Sequence, residues 1–297
     1  MNNIKDSFFI QDLEVFTGIK AHTIRIWEKR YNLLTPTRLN RNIRKYDLLD
    51  LQKLLNVSLL YNNGFKISKL SQLSDEQLNE EARKISSESI KGNYYVNSLI
   101  VCMYSFDALS FENSYKELIS KISFEEIFLE VYIPLLHHIG VLWHTDVIKP
   151  AHEHFMSNLI CQKILLNTAL ISNENTLEND VVYVLFLPEG EIHDVGLLYL
   201  NLCLKKSGAK TIFLGRSIPF DNLEFVSKEF EKITFVCSFL VGKTEEQKTL
   251  FIDRFTNLLA GSENMAYLTG YIWNGYATDS LSANIKLVPK FANLDFL

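Results

Sequence analysis

Apolar residues recur every three or four positions at Ile10, Leu13 and Phe16, stop at Thr17-Gly18, and resume at Ile24, Trp27 and Tyr31. That rhythm predicts a helix, a tight turn and a second helix over Lys20 to Tyr31. Lys20 is a poor N-cap, so the sequence leaves the start of the second helix open. After Leu33-Leu34-Thr35-Pro36 the polar stretch RLNRNIRKY is a short hairpin candidate. Residues 95 to 170 read as several amphipathic helices rich in Phe, Tyr, Leu and Ile, among them FEEIFLEVYIPLLHHIGVLW. Beyond residue 180 the period changes. The continuous apolar run Val181 to Leu187 has the length and composition of a strand buried on both faces. Further strands are expected at Lys210 to Leu214, Thr234 to Leu240 and Met265 to Leu268, with helices at about 197–206, 220–231 and 243–259 between them.

The order of these patterns predicts a multidomain chain. An α winged helix-turn-helix occupies 1–77, a four-helix-type cap 78–175, and a doubly wound α/β domain of the flavodoxin or Rossmann kind 176–297. The joints fall at polar stretches, Ser71 to Asp75, Ser86 to Asn93, and SNENTLEND from Ser172 to Asp180. No internal repeat is visible.

Charge sharpens the first domain. The net charge of −5 conceals +5 over residues 1–75, which leaves −10 for the remainder. Residues 16–45 hold eight basic side chains and one acid, Glu28. Such a density suits a polyanion, although charge alone is equally met by a solvated basic face. With the apolar positions of the second helix turned inward, His22, Thr23, Arg25, Lys29 and Arg30 fall on or near a face that a major groove could receive. Arg38, Arg41, Arg44 and Tyr46 of the hairpin region complete the candidate DNA-binding set, as a wing along the phosphates. The four cysteines lack C-x-x-C spacing and no secretory leader is evident, so a soluble protein of a reducing cytoplasm is expected. No apolar run was expected to reach the 18 or so residues of a membrane span.

At these residues the chain resembles the MerR family of transcription factors. TGIKAHTIRIWEKRY is followed by LLTP-x-R, IRKY, DLLDLQKLL and a helical hairpin containing Gly64, over nearly all of residues 8 to 73. The resemblance implies a dimer or tetramer on a palindromic promoter element. A small helical interaction domain with a basic surface is the alternative that the residues alone leave open.

A second cluster runs from His137 to His154, with His138, Trp143, His144, Asp146, His152 and Glu153 between them. A metal site is one reading, but on a helix His152 and His154 point about 200° apart and the i, i+4 histidine pair of zinc enzymes is absent. Ordinary surface histidines are another. The pattern W-x9-E-H, formed by Trp143, Glu153 and His154 with His144 after the tryptophan, resembles the cap of cobalamin-binding, light-sensing MerR regulators of the CarH and LitR type. That resemblance implies that Trp143 packs over the upper ligand of adenosylcobalamin, that Glu153 and His154 bound the pocket, and that His144 takes cobalt after light.

In the last domain Glu191, His193 and Gly196 form E-x-H-x-x-G, similar to the D-x-H-x-x-G signature of base-off, His-on cobalamin domains. By resemblance His193 is the lower cobalt ligand, Glu191 its hydrogen-bond partner, and Ser238 and Leu240 the S-x-L near the displaced tail. The late G-G pair is here Thr269-Gly270, which puts a branched side chain where the tail is expected to pass. Taken alone, E-x-H-x-x-G is far more often an ordinary loop histidine of a flavodoxin-like domain; W-x9-E-H and the DNA-binding head carry the cobalamin reading with it. The reading is a non-enzymatic repressor controlled by adenosylcobalamin and light. The alternatives are a B12-independent repressor controlled by a protein partner such as an anti-repressor, and a corrinoid carrier for methyl transfer. No acid–base pair, nucleophile triad or phosphate loop points to turnover.

Overall fold

The computed structural model describes residues 7–38, 43–88, 93–144, 147–171, 181–240, 242–277 and 281–289, with the side chains of 86–88, 93 and 144 also outside the description. The chain divides into two compact units, 1–159 and 160–297.

The first unit begins with α1 (Ile10–Thr17) and α2 (Ala21–Tyr31), then the hairpin of β1 (Thr37–Arg38) and β2 (Arg44–Lys45). Gly18 ends α1 at φ +70, the left-handed conformation that a tight helix stop requires. The weak cap Lys20 is compensated from outside the helix, because the Ala21 N–H donates to Glu14 Oε2 of α1 at 3.0 Å. Next come α3 (Leu48–Asn62), started by a capping box between Asp47 and Asp50, then α4 (Ile67–Leu70) and α5 (Asp75–Glu88).

The helical middle contains α6 (Asn93–Ser105), α7 (Ala108–Ile119), α8 (Phe124–Ile127), a π-helical turn (Phe128–Tyr132), α9 (Ile133–His144) and α10 (Pro150–Ala169). Pro134 has no N–H to offer the carbonyl four residues before it, and the preceding turn widens so that the Ile133 N–H reaches Phe128 O. The helix therefore runs on without a break. Phe124–Trp143 is consequently long and apolar enough by composition to cross a membrane, contrary to the sequence expectation. Its buried residues, Phe124, Ile127, Phe128, Val131, Tyr132, Leu135, Ile139 and Leu142, recur at helical spacing, as in the core helix of a packed bundle.

The second unit holds a five-stranded, wholly parallel sheet in the order β4-β3-β5-β6-β7, from β3 (Val181–Pro188), β4 (Lys210–Ile218), β5 (Lys232–Ser238), β6 (Met265–Thr269) and β7 (Ile285–Val288). The last strand had no counterpart in the sequence reading, being only four residues long and flanked by polar turns. Helix α11 (Val195–Lys206) packs on one face with Leu185, Leu187, Val236 and Tyr267. Helices α12 (Asp221–Val226) and α13 (Glu245–Leu259) cover the other, over Val184, Phe186, Phe235 and Leu268. The alternation of side chains along each strand fixes which residue meets which helix. The arrangement is the doubly wound fold with flavodoxin-like strand order, which presents its loops at the carboxyl ends of the strands.

Candidate functional site

On α2, His22, Arg25, Lys29 and Arg30 are exposed, and the half-buried Thr23 shares a 3.3 Å hydrogen bond with the His22 ring. Ile24 and Trp27 lie beneath them, with Trp27 edge-on to Tyr61. Ile26 is exposed beside Arg25, and the sequence reading passed over it because its own period assigned apolar residues to the inner face. Arg38 is exposed on β1, and Arg41 lies outside the described residues.

The other two wing residues are placed differently from the expectation. Glu28 of α2 accepts from Arg44 Nε at 3.0 Å and from the Tyr46 hydroxyl at 3.0 Å. Tyr46 is fully enclosed, and burial followed by the Glu28 charge pushes its phenol pKa upward. Tyr46 is thus a correction to the DNA-facing set: its ring faces the core, and its hydroxyl ties the wing to the recognition helix. Arg44 is half-buried in the same tie, and its bond to Glu28 raises its pKa.

The middle region separates the histidines that the sequence crowded together. His152 is buried between the rings of Tyr104 and Phe106, at 5.0 and 4.8 Å, and its Nδ1 accepts from the Lys149 N–H. Packing accounts for it. His138 is half-buried against Phe16, and burial lowers its pKa. Trp143 stands in the last turn of α9 with 45% of its surface exposed. The half-buried Glu153 and the exposed His154 open α10, with His154 Nδ1 3.0 Å from Glu153 Oε2. The His144 side chain and Asp146 lie outside the described residues. Among the described residues no group of three or more His, Cys, Asp or Glu is arranged to hold a metal ion.

The loop between β3 and α11 is built around a buried carboxylate. Glu191 is 1% exposed, and its Oε1 accepts the backbone N–H groups of Ile192 and His193 while Oε2 accepts that of Leu240, just beyond β5. His193 Nδ1 lies 2.6 Å from the same Oε1, and 45% of the imidazole side chain is exposed. One carboxylate therefore closes the loop, joins it to the end of β5 and orients the imidazole. Turned in this way, the ring has Nε2 as the nitrogen to offer a metal, and a carboxylate on the opposite nitrogen increases its basicity. This donor set fits the lower ligand of a cobalamin.

Two further residues support the loop, and no motif reveals them. Arg216, near the end of β4, grips Asp194 with Nε and Nη2 at 2.6 and 2.8 Å, which raises the guanidinium pKa. Ser217 adopts φ +54 and its Oγ accepts the Gly190 N–H. Both partners are more than twenty residues away in sequence, so only the β3–β4 pairing brings them in. Gly196 lies in the first turn of α11. Ser238 is buried and pairs in register with Thr269 across β5 and β6, while Leu240 is exposed. The Thr269 hydroxyl donates to Cys237 O at 2.9 Å, and the residue is fully enclosed. Gly270 is required by the fold itself, since at φ +119 an added Cβ would stand 1.9 Å from Phe239 O.

Two family profiles match the chain. The MerR HTH family regulatory protein profile covers residues 9–77, and a B12 binding domain profile covers residues 95–165. The chain is 27% identical to the HTH-type transcriptional repressor CarH of Myxococcus xanthus over 214 residues, 69% of this chain and 70% of that protein. It is 24% identical to the HTH-type transcriptional repressor CarA of the same organism, over 80% of this chain and 78% of the other. Among solved structures, the monomethylamine corrinoid protein of Methanosarcina barkeri superposes with a TM-score of 0.50 at 16% identity, covering 58% of this chain and 82% of that one. This last likeness concerns the fold alone.

Proposed function

We propose that this chain, a MerR-family DNA-binding regulator with a cobalamin-binding domain, is a repressor that binds promoter DNA as an oligomer and is switched by adenosylcobalamin and light. The observation that carries the cofactor half is the Glu191–His193 pair, a half-exposed imidazole held at 2.6 Å by a carboxylate that three backbone N–H groups also hold. His193 would hold cobalt from below through Nε2. Trp143 would shelter the upper group, Glu153 and His154 would bound its pocket, and His144 would hold cobalt after illumination. Ser238, Leu240, Gly196 and Gly270 would border the corrin and its tail. With an adenosyl group bound, cobalamin supplies a cobalt–carbon bond that green light breaks.

His22, Arg25, Lys29 and Arg30 would enter the major groove, with Arg38 and Arg41 on the phosphates and Arg44 holding the wing in place. Such contacts combine base readout with phosphate affinity, so binding should weaken steeply with salt. The first unit also offers a route between its two functions. Phe8 and Phe16 of the head meet the Tyr104 ring edge-on at 5.0 and 5.3 Å, and the Tyr104 hydroxyl donates to Val147 O at 2.8 Å, in the segment between Trp143 and Glu153. One side chain thus touches both the DNA-binding head and the proposed cap segment. Discrete repacking there is the kind of two-state event a switch needs, since each tenfold preference of a ligand for one state supplies only about 1.4 kcal/mol of coupling.

The test follows the visible spectrum, the size-exclusion mass and binding to the chain's own upstream DNA, with adenosylcobalamin in the dark and then after green light. Retained base-off cofactor, with loss of mass and of DNA binding on illumination, is expected. Retained cofactor without a light response would sink the photochemical part. Intact DNA binding with no retained cofactor would favour the alternative, a B12-independent repressor controlled by a partner protein.

A further inference from the structure

The face of the sheet under α12 and α13 carries a cleft of about 200 Å3 near the carboxyl ends of β3, β4 and β5. Its walls are aromatic: Phe239 meets Phe251 at 4.9 Å and Trp273 at 5.5 Å, and Phe220 lies beyond Phe251 at 5.8 Å. Trp273 is 2% exposed, and its indole N–H is enclosed with no acceptor among the described residues. An indole nitrogen can only donate, and a buried donor without an acceptor is rare enough to need a reason.

The charges at the cleft point to the same ligand chemistry. Lys243, Lys248 and Arg254 line it, against the one acid Glu189. Lys248 is paired with Glu245, and Arg254 is paired with Asp221 while stacking over the Phe220 ring at 4.2 Å. Lys243 has no ion pair among the described residues. A cation at the rim, a single carboxylate near it, aromatic walls and an enclosed donor together suit a monoanion with a flat apolar body.

The cleft is separate from the cobalamin site just described. Ser238 and Thr269 fall, by strand alternation, on the α11 face with Val236 and Tyr267, whereas Phe186, Phe239 and Trp273 belong to the opposite face. None of Glu191, His193, Gly196, Ser238, Leu240 or Gly270 lines it. We propose that this cleft is a second effector site, taking a small aryl carboxylate whose ring lies among the phenylalanines. Its carboxylate meets Lys243, and a small shift of the aromatic wall on binding uncovers Trp273 Nε1 to donate to one of its oxygens.

Only three tryptophans are present, so 15N-indole labelling of the full chain gives three N–H resonances, with that of Trp273 assigned through Trp273→Phe. The titrant is sodium 2-naphthoate, with and without bound cyanocobalamin. A saturable downfield shift confined to Trp273, unchanged by cyanocobalamin and weakened about tenfold in Lys243→Ala, is the expected result. No saturable shift at millimolar naphthoate, equal shifts of all three resonances, or unchanged affinity in Lys243→Ala would overturn the proposal. Competition by cyanocobalamin would also overturn it, by assigning the cleft to the cofactor site and leaving the reading of His193 intact.

Discussion

Two Glu–His pairs among the described residues differ in everything except residue type. Glu153 and His154 are neighbours in the first turn of α10, 3.0 Å apart, with 59% of the histidine side chain exposed. Glu191 and His193 are 2.6 Å apart, and the glutamate is buried with backbone donors on both of its oxygens. An exposed pair gains little from its own attraction, because water screens it and both side chains lose rotamer freedom. A buried carboxylate with its lone pairs filled is fixed by the fold, and so is the imidazole it holds. The difference separates an imidazole fixed in orientation by the fold from one held only by its sequence neighbour.

The largest expected effect comes from removing the anchor. Glu191→Ala leaves the N–H groups of Ile192, His193 and Leu240 without their acceptor. Three orphaned, part-buried donors should cost the second unit about 2–4 kcal/mol in urea unfolding and abolish cobalamin retention. A loss under about 1 kcal/mol would mean that the loop is held by Arg216–Asp194 alone. His193→Ala comes next. Its half-exposed ring carries little packing, so stability should barely move while cobalamin affinity falls at least tenfold, read from the visible spectrum. Unchanged affinity would remove His193 as the lower ligand.

These two residues also show what was readable in advance. E-x-H-x-x-G marks Glu191 and His193 because the motif is local, and the recognition helix is readable because its period is. Arg216, Ser217 and the role of Glu28 are not, since each depends on a partner brought in from 16 to 27 residues away. Tyr46 is not legible either, because a tyrosine next to basic wing residues looks like a DNA contact, and only the tertiary fold shows its hydroxyl on Glu28. The α/β class followed from the apolar run of β3, yet β4 extends to Ile218 and α12 stops at Val226, boundaries set by sheet pairing and not by local composition.

His138 is a third kind of histidine, half-buried against Phe16 with its Nε2 enclosed and lacking a partner among the described residues. Burial lowers its folded-state pKa below the ordinary 6.5. Above that pH both folded and unfolded states are neutral and the residue carries no penalty. As pH falls through 6.5, the unfolded state takes up the proton first, so stability declines until the folded-state pKa is reached, by at most about 1.4 kcal/mol per pH unit. His138→Phe should flatten the decline that begins as pH falls through 6.5. Equal slopes in the two proteins would show that this histidine is not held neutral.

The smallest effect on folding is expected at the Glu153–His154 pair, and it makes the sharpest comparison with Glu191. Glu153→Ala removes a partner that water already screens, so stability should change by less than about 0.5 kcal/mol. Any effect should appear only with cofactor bound, as a change in the upper-ligand spectrum or in the light response, because these side chains matter only where they meet the sheltered group. A loss of stability as large as that of Glu191→Ala would mean that α10 is capped through Glu153 and that the two pairs are equivalent anchors. A cofactor-dependent change in a fully stable protein would instead assign Glu153 to the pocket, and would separate its role from that of the rigid Glu191 loop.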